Sequence, residues 1–312
     1  MKTVAPDYYP HFRCLAGQCR HSCCIGWEIE IDPATRALYR TVSGPFGKRL
    51  KDAICDENNL SSFRLDARER CPFLNENGLC DLITTLGEDM LCQICADHPR
   101  FRSFFSDRTE IGLGLCCEGA AALILTQQKP VDFIVLAEDG PDEPLSDEEE
   151  ALLRTRAALL HLLQNRSLPL DARLQQILSF MSFSFPRLPW PRLYQSLERL
   201  DNAWGIALSA LPETFSPKAL PGLYNNSHAP FTIALEQFCA YLLFRHLPGA
   251  LEDGLLSARV AFCVLSTYLL AALHAITPPP ALPGLCELAR MYSAEIEYSD
   301  ENIAILLDAL TP

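Results

Sequence analysis

The chain has 312 residues, is 49% hydrophobic and 21% charged, and carries a formal net charge of -13. This composition excludes a disordered chain and supplies a sizeable core, and the length suits about two domains. The acid excess argues against a general nucleic-acid partner, because no basic face balances it.

Charge and cysteine are both unevenly spread. Residues 1–117 hold 14 Lys+Arg against 16 Asp+Glu, whereas residues 138–150 hold eight acids and no base. Eleven of the fourteen cysteines lie in residues 1–117. The opening MKTVAPDYYPHF has no apolar run of the secretory kind. The strongest membrane candidate, residues 260–276, contains Ser266, Thr267 and His274. It is shorter than the roughly 20 apolar residues of a span and suits a buried core helix. The expectation is a cytoplasmic protein without a membrane segment. In that reducing compartment, so many cysteines point to metal or catalysis rather than disulfides.

In chain order, residues 1–13 read as extended, with Tyr8, Tyr9 and Phe12 as packing anchors. Residues 14–24, CLAGQCRHSCC, place Cys14, Cys19, Cys23 and Cys24 close together. Next, Trp27, Ile29 and Ile31 alternate with Glu28, Glu30 and Asp32, the period of a half-buried strand. Asp32 then caps a helix with Pro33 at its first position. Residues 43–70 read as loop, with one helix near 46–54. Residues 71–117 return cysteines at short intervals: Cys71 and Cys80 in CPFLNENGLC, Cys92 and Cys95 in LCQICADHPR, Cys116 and Cys117 in LCCEG. Gly78 and Gly87 are the turn points of loops that bend back on an ion. Residues 118–136 read as a helix and an apolar segment, and residues 137–145 as an acidic loop. Ser146 and Glu149 form a capping box that opens a helix to about Leu163. Helical patterns recur at 171–183, 191–210, 230–247, 253–276, 282–293 and 299–310. Pro278 to Pro280 stop the longest, and Ser299 caps the last. The expected fold is mainly α: an irregular cysteine-rich metal-binding module over 1–125, then a helical bundle-like body over 126–312.

Converging thiolates suit zinc or an iron–sulfur cluster, and spacing alone leaves the two open. A zinc module that only folds the N-terminal third is the plainer alternative. Cys239, Cys263 and Cys286 sit in apolar helical patterns and read as small core residues. Cys55 stands alone. His21 and His98 lie near the cysteines, with packing or surface roles favoured for both. The CxxxCxxC spacing of radical chemistry is not met, and no strand–GxGxG–helix fingerprint for a methyl donor is present.

The four cysteine stretches, with Trp27 after the first and MYSAEIEYSDENIAILL near the C-terminus, resemble the flagellin lysine-N-methylase family. Position by position, the resemblance implies eight metal-binding cysteines: Cys14, Cys19, Cys23, Cys24, Cys71, Cys80, Cys95 and Cys116. Cys92 and Cys117 are extra, and Cys117 stands where relatives often have proline. The resemblance further implies a [4Fe-4S] cluster, with zinc as the alternative, S-adenosylmethionine as donor and flagellin as protein substrate. Methyl transfer needs a neutral lysine, so a proton acceptor is required; Glu118, Tyr292, Glu295 and Glu297 are candidates, each with a solvated or structural role favoured, and Arg100 suits either a carboxylate of donor or substrate or a surface ion pair. The competing reading is a non-catalytic zinc- or iron-chelating module or adaptor; a redox carrier ranks third.

Overall fold

The computed structural model describes residues 1–57, 60–140, 143–277 and 280–311. The chain folds as two compact units. Arg13–Arg100 forms one, and Met1–Phe12 together with Phe101–Pro312 forms the other. The division differs from the expected 1–125 and 126–312 because of strand pairing. Strand β1 (Lys2–Pro6) sets Lys2 opposite both Arg108 and Glu138, which carries residues 1–12 and 101–125 into the helical unit.

In the cysteine unit, α1 (Pro33–Thr41) starts as expected, with the Asp32 side chain accepting from Thr35 N at 2.9 Å. The other Asp32 oxygen accepts from Gln93 N, also at 2.9 Å. Helix α2 (Gly44–Ala53) leads into the hairpin of β2 (Ile54–Glu57) and β3 (Leu60–Phe63). The 27–32 segment buries Ile29 and Ile31, as its alternation implies. It joins β3 by a single bridge, Glu30 to Ser62, rather than as a full strand. Two short helices follow, α3 (Asp81–Leu86) and α4 (Gln93–Asp97). Ile29, Ile31, Tyr39, Leu50, Phe63 and Phe73 form the centre of a small core that also takes in Cys71 and Cys92.

The larger unit adds β4 (Arg100–Phe104), β5 (Arg108–Leu113), α5 (Glu118–Leu125) and β6 (Phe133–Glu138). Its sheet has the order β4-β5-β1-β6, with β1 parallel to β5 and antiparallel to β6. Strand β1 lies in the stretch read as extended, β4 and β5 occupy residues read as loops, and β6 runs from the apolar segment into the expected acidic loop, of which Pro141 and Asp142 lie outside the described residues. Then come α6 (Asp147–Leu163), α7 (Leu170–Phe180), α8 (Trp190–Ser196), α9 (Asn202–Ser209), α10 (Pro230–His246), α11 (Ala250–Asp253), α12 (Leu256–Ile276), α13 (Leu282–Tyr292) and α14 (Asp300–Leu310). The fold is mainly α, as expected. Pro278 and Pro279, expected to stop α12, lie outside the described residues.

Helices α10 and α12 pack side by side at the centre and are buried on almost every face. Among the described residues α12 alone is long and apolar enough to cross a membrane, yet 78% of its most apolar window is buried within the protein. Its apolar length therefore fills a core. The pattern expected as one helix over 191–210 breaks into α8 and α9, because Leu200 N and Asp201 N donate to the Glu295 carboxylate and Asp201 caps α9. A bidentate Arg156–Glu110 pair, buried at both ends, fastens α6 to β5.

The capping box on α6 is complete. Ser146 Oγ accepts from Glu149 N, and Glu149 accepts from Ser146 N. Glu149 also accepts from Ser106 N and Oγ, at 2.8 Å each. Ser146→Ala is expected to lower stability by about 1 kcal/mol in chemical denaturation. Glu149→Ala should cost more, since it strips partners from both ends of that link.

Candidate metal centre and the polar cluster of the helical unit

Five thiols share the small core of the cysteine unit. Cys71 and Cys92 are buried in it, and Cys24, Cys80 and Cys95 pack against it. Cys71 N donates to Cys24 O at 2.8 Å, which sets those two residues side by side. The chain then turns back on itself. Leu74 N donates to Cys71 O, Asn75 Oδ1 accepts from Asn77 N and Leu79 N, and Gly78 takes a positive φ of 71°. A bridge between Leu74 and Cys80 closes the turn. Cys92 precedes α4, and the amides of Cys95 and Ala96 donate to its carbonyl. This brings the Cys92 and Cys95 sulfurs to 3.3 Å.

Hydrogen bonds between thiols divide them into unlike pairs. The hydrogen bond shared by the two thiols lowers Cys92 and, with burial, raises Cys95. Cys24 is lowered by its bond from Cys23, and Cys23 is raised correspondingly. Burial pushes Cys71 up to about 11, and the nearby backbone amides of Phe73 and Leu74 oppose the rise. The charges that act next on Cys95 are those of Cys24 and Cys71.

Soft sulfur donors in a small core, with no disulfide among the described residues, have the chemistry of a zinc or iron site. The sulfurs meet in pairs. Among the described residues, no three His, Cys, Asp or Glu side chains converge on one ligating point. Of the eight cysteines expected as ligands, Cys24, Cys71, Cys80 and Cys95 share the core. Cys14 and Cys23 are exposed and Cys19 is half-buried. Cys116 belongs to the other unit. Cys55 bonds to Glu57 instead, at 3.2 Å. His98 packs its ring 6.2 Å from that of Trp27, and burial lowers its pKa, in keeping with the packing role. Arg100 donates to Ala96 O at 3.2 Å. Cys239 and Cys263 are core residues, as expected.

In the helical unit, Cys116 lies just before α5, among Tyr298, Arg245 and Glu297. Burial pushes its thiol up to about 12, and a hydrogen bond from Tyr298 opposes the rise. Glu297 ends a π-helical turn, Ser293–Glu297, that links α13 to α14; such turns gather at functional sites. Its carboxylate accepts from Tyr241 Oη at 3.0 and 3.1 Å and from His246 Nε2 at 2.7 Å, and pairs with Arg245 Nε at 3.4 Å. Arg245 Nη1 donates to Tyr241 Oη at 2.7 Å. The Arg245 guanidinium lies 5.0 Å from the Phe101 ring centre and 4.7 Å from that of Tyr298. Burial alone would raise Glu297, but Arg245 and His246 outweigh it and hold the carboxyl down at about 2. Tyr241, Arg245 and His246 escape a reading of the sequence. Their signal is three polar groups within two turns of the C-terminal half of α10, with Tyr241 and Arg245 on one face.

The proton-acceptor candidates separate clearly. Tyr292 is buried against Ser266 Oγ, and burial lifts its phenol well above the usual range. Glu297 is fixed as an anion. Glu295 is 3% exposed and raised by burial, against the donated amides of Leu200 and Asp201. It lines a pocket of about 260 Å³ with Glu198, Tyr298, Ser299 and Asn302. Glu118 opens α5 directly after Cys117.

The resemblance carried by the cysteine stretches holds when the chain is compared with known proteins: it is similar to lysine-N-methylases. It is 25% identical over 223 residues to the lysine-N-methylase of Salmonella choleraesuis and 24% identical over 223 residues to that of Salmonella typhimurium. Both alignments cover 68% of this chain and 51% of the relative, so the chain spans about half the length of these two proteins. It is also 29% identical over 129 residues to the flagellar biosynthetic protein FliU of Salmonella muenchen, which covers 38% of this chain and 75% of that protein. No protein-family model matches the chain, and no solved structure matches it.

Proposed function

We propose that the chain is a cytoplasmic protein lysine N-methyltransferase that acts on flagellin. S-adenosylmethionine is the donor, and a thiolate-held metal centre, iron–sulfur or zinc, sits in the cysteine unit. The observation that carries this reading is the similarity to two lysine-N-methylases across 68% of the chain. The lysine amine, with an ordinary pKa of about 10.4, has to lose its proton before it attacks the sulfonium methyl. Glu295 is assigned as the acceptor, because its carboxyl is raised and it lines an open pocket. Glu297 stays charged and holds Tyr241, Arg245 and His246 in place. When bound, the metal centre cross-links the loops of the cysteine unit and offers a Lewis-acid site.

The test mixes metal-loaded protein, S-adenosylmethionine and flagellin, then maps methyl mass on flagellin lysines. Methylation that depends on this chain is expected, and Glu295→Gln should lower kcat by about a hundredfold or more. Folded, metal-loaded protein that leaves flagellin unmethylated would overturn the enzyme reading in favour of a chelating module.

A further inference from the structure

We infer that Asn302 is the positioning residue of Glu295. It clamps the 198–201 segment to the π-helical turn and so fixes how the Glu295 carboxylate is presented to its pocket. This deepens the methyl-transfer reading and rests on Glu295 being the proton acceptor there.

Asn302 stands in the first turn of α14 and is 0% exposed. The helix does not need its side chain, because the cap is Ser299, whose Oγ accepts from Asn302 N. The side-chain amide works across elements instead. Its Oδ1 accepts from Glu198 N at 3.0 Å, and its Nδ2 donates to Glu198 O at 3.0 Å. One side chain thus holds both backbone groups of a residue 104 positions away. Nδ2 also donates to Glu295 O at 2.8 Å. Both donors of the amide are therefore used, one on each segment.

Glu295 closes the circuit from the other side. Its carboxylate accepts from Leu200 N at 2.8 Å and from Asp201 N at 2.7 Å, one amide on each oxygen. The 198–201 segment is held at one end by Asn302 and at the other by Glu295, and Asn302 holds the main chain of Glu295 as well. Each carboxylate oxygen has two lone pairs, of which the amide takes one. The other stays free for the proton of the substrate amine, and Glu295 lines the pocket together with Glu198 and Tyr298. A carboxylate held by two amides does not have to be ordered when the amine arrives.

The test uses the full chain, as wild type and Asn302→Ala. It follows the Glu295 carboxyl carbon by NMR titration and the exchange of the Leu200 and Asp201 amides. Those amides should lose protection by about tenfold or more in the variant. The Glu295 pKa should rise, because weaker amide bonds favour the charged form less. The charged and titratable groups around it are Glu198, Arg199, Asp201, Tyr298, Asp300 and Glu301; of these, Asp201 raises the carboxyl and Arg199 lowers it. With S-adenosylmethionine and flagellin, kcat should fall by up to about a hundredfold while KM stays within about twofold, and the acid limb of kcat should move to higher pH. If Asn302→Ala does not fold, Asn302→Asp is read in the same way, since it keeps the size and the acceptor for Glu198 N but loses both donors. Unchanged protection of Leu200 and Asp201 overturns the clamp. A lower kcat with an unmoved acid limb shows a structural role only and overturns the positioning role. If wild type leaves flagellin unmethylated while the variant's exchange and Glu295 titration both shift, the methyl-transfer reading falls and the clamp stands.

Discussion

Removing the metal with a chelator is expected to unfold residues 13–100 while the helical unit keeps its structure. In hydrogen exchange, the amides of Leu50, Phe63 and Phe73 should lose protection, and those of α10 and α12 should not change. The reason is the size of the core. The unit's helices and strands are all short, and its apolar centre is the small cluster around Phe63 and Phe73. Chains of this size bury a smaller share of their surface than larger ones, and many small units fold only when a structural ion contributes, at roughly 10–16 kcal/mol for zinc in isolated fingers. Equal protection with and without metal would show that the unit folds on its own core and that the cysteines are not its staple.

The second large effect is expected at Glu297. Glu297→Ala should destabilise the helical unit by about 3–5 kcal/mol, because it leaves Arg245 and His246 buried without their carboxylate. For a unit of this length, that lowers the melting temperature by roughly 10 °C. The same cluster makes stability depend on pH. Glu297 has its folded pKa depressed from 4.5 to about 2. Its contribution is therefore complete above 4.5 and is lost as pH falls towards 2. His246 is lowered below its ordinary 6.5 by burial, so it too is held neutral and resists protonation on the acid side. Both groups act in one direction. Stability should decline from below about pH 6.5 and fall more steeply below 4.5. Thermal melts of wild type and Glu297→Gln across this range would check the prediction. The variant should be less stable at neutral pH and should lack the steep acid limb. If the wild-type and variant curves keep the same slope, the carboxylate is not the titrating group.

Many helix starts were legible because their signals are local. Asp32, Ser146 and Ser299 each cap a helix through their own side chains, and the capping box at Ser146 needs only four consecutive residues. The sheet was not legible. Its strand pairs lie far apart along the chain, and β5 buries Glu110 against Arg156, which breaks any apolar alternation. The break between α8 and α9 was hidden for the same reason, since its cause, Glu295, lies about 95 residues away. In the cysteine unit, Cys24, Cys71, Cys80 and Cys95 share one small core, but among the described residues they do not converge on one point. Clustering in sequence did not foretell which sulfurs lie inside. Burial separates Cys92 from Cys14 and Cys23, and burial depends on the turn at Gly78 and on the hairpin beside it.

The position of β1 constrains the order in which the chain can assemble during synthesis. This strand is made before its neighbours in the sheet, β5 and β6, which follow the whole of the cysteine unit. Until they emerge, β1 has two open edges and no partner. The cysteine unit, an insertion in the chain path between β1 and the other three strands, is complete before any of that pairing begins. Units generally fold as they emerge, and long-range strand pairing is the slow step. Folding of the cysteine unit and closure of the sheet are thus separated in time.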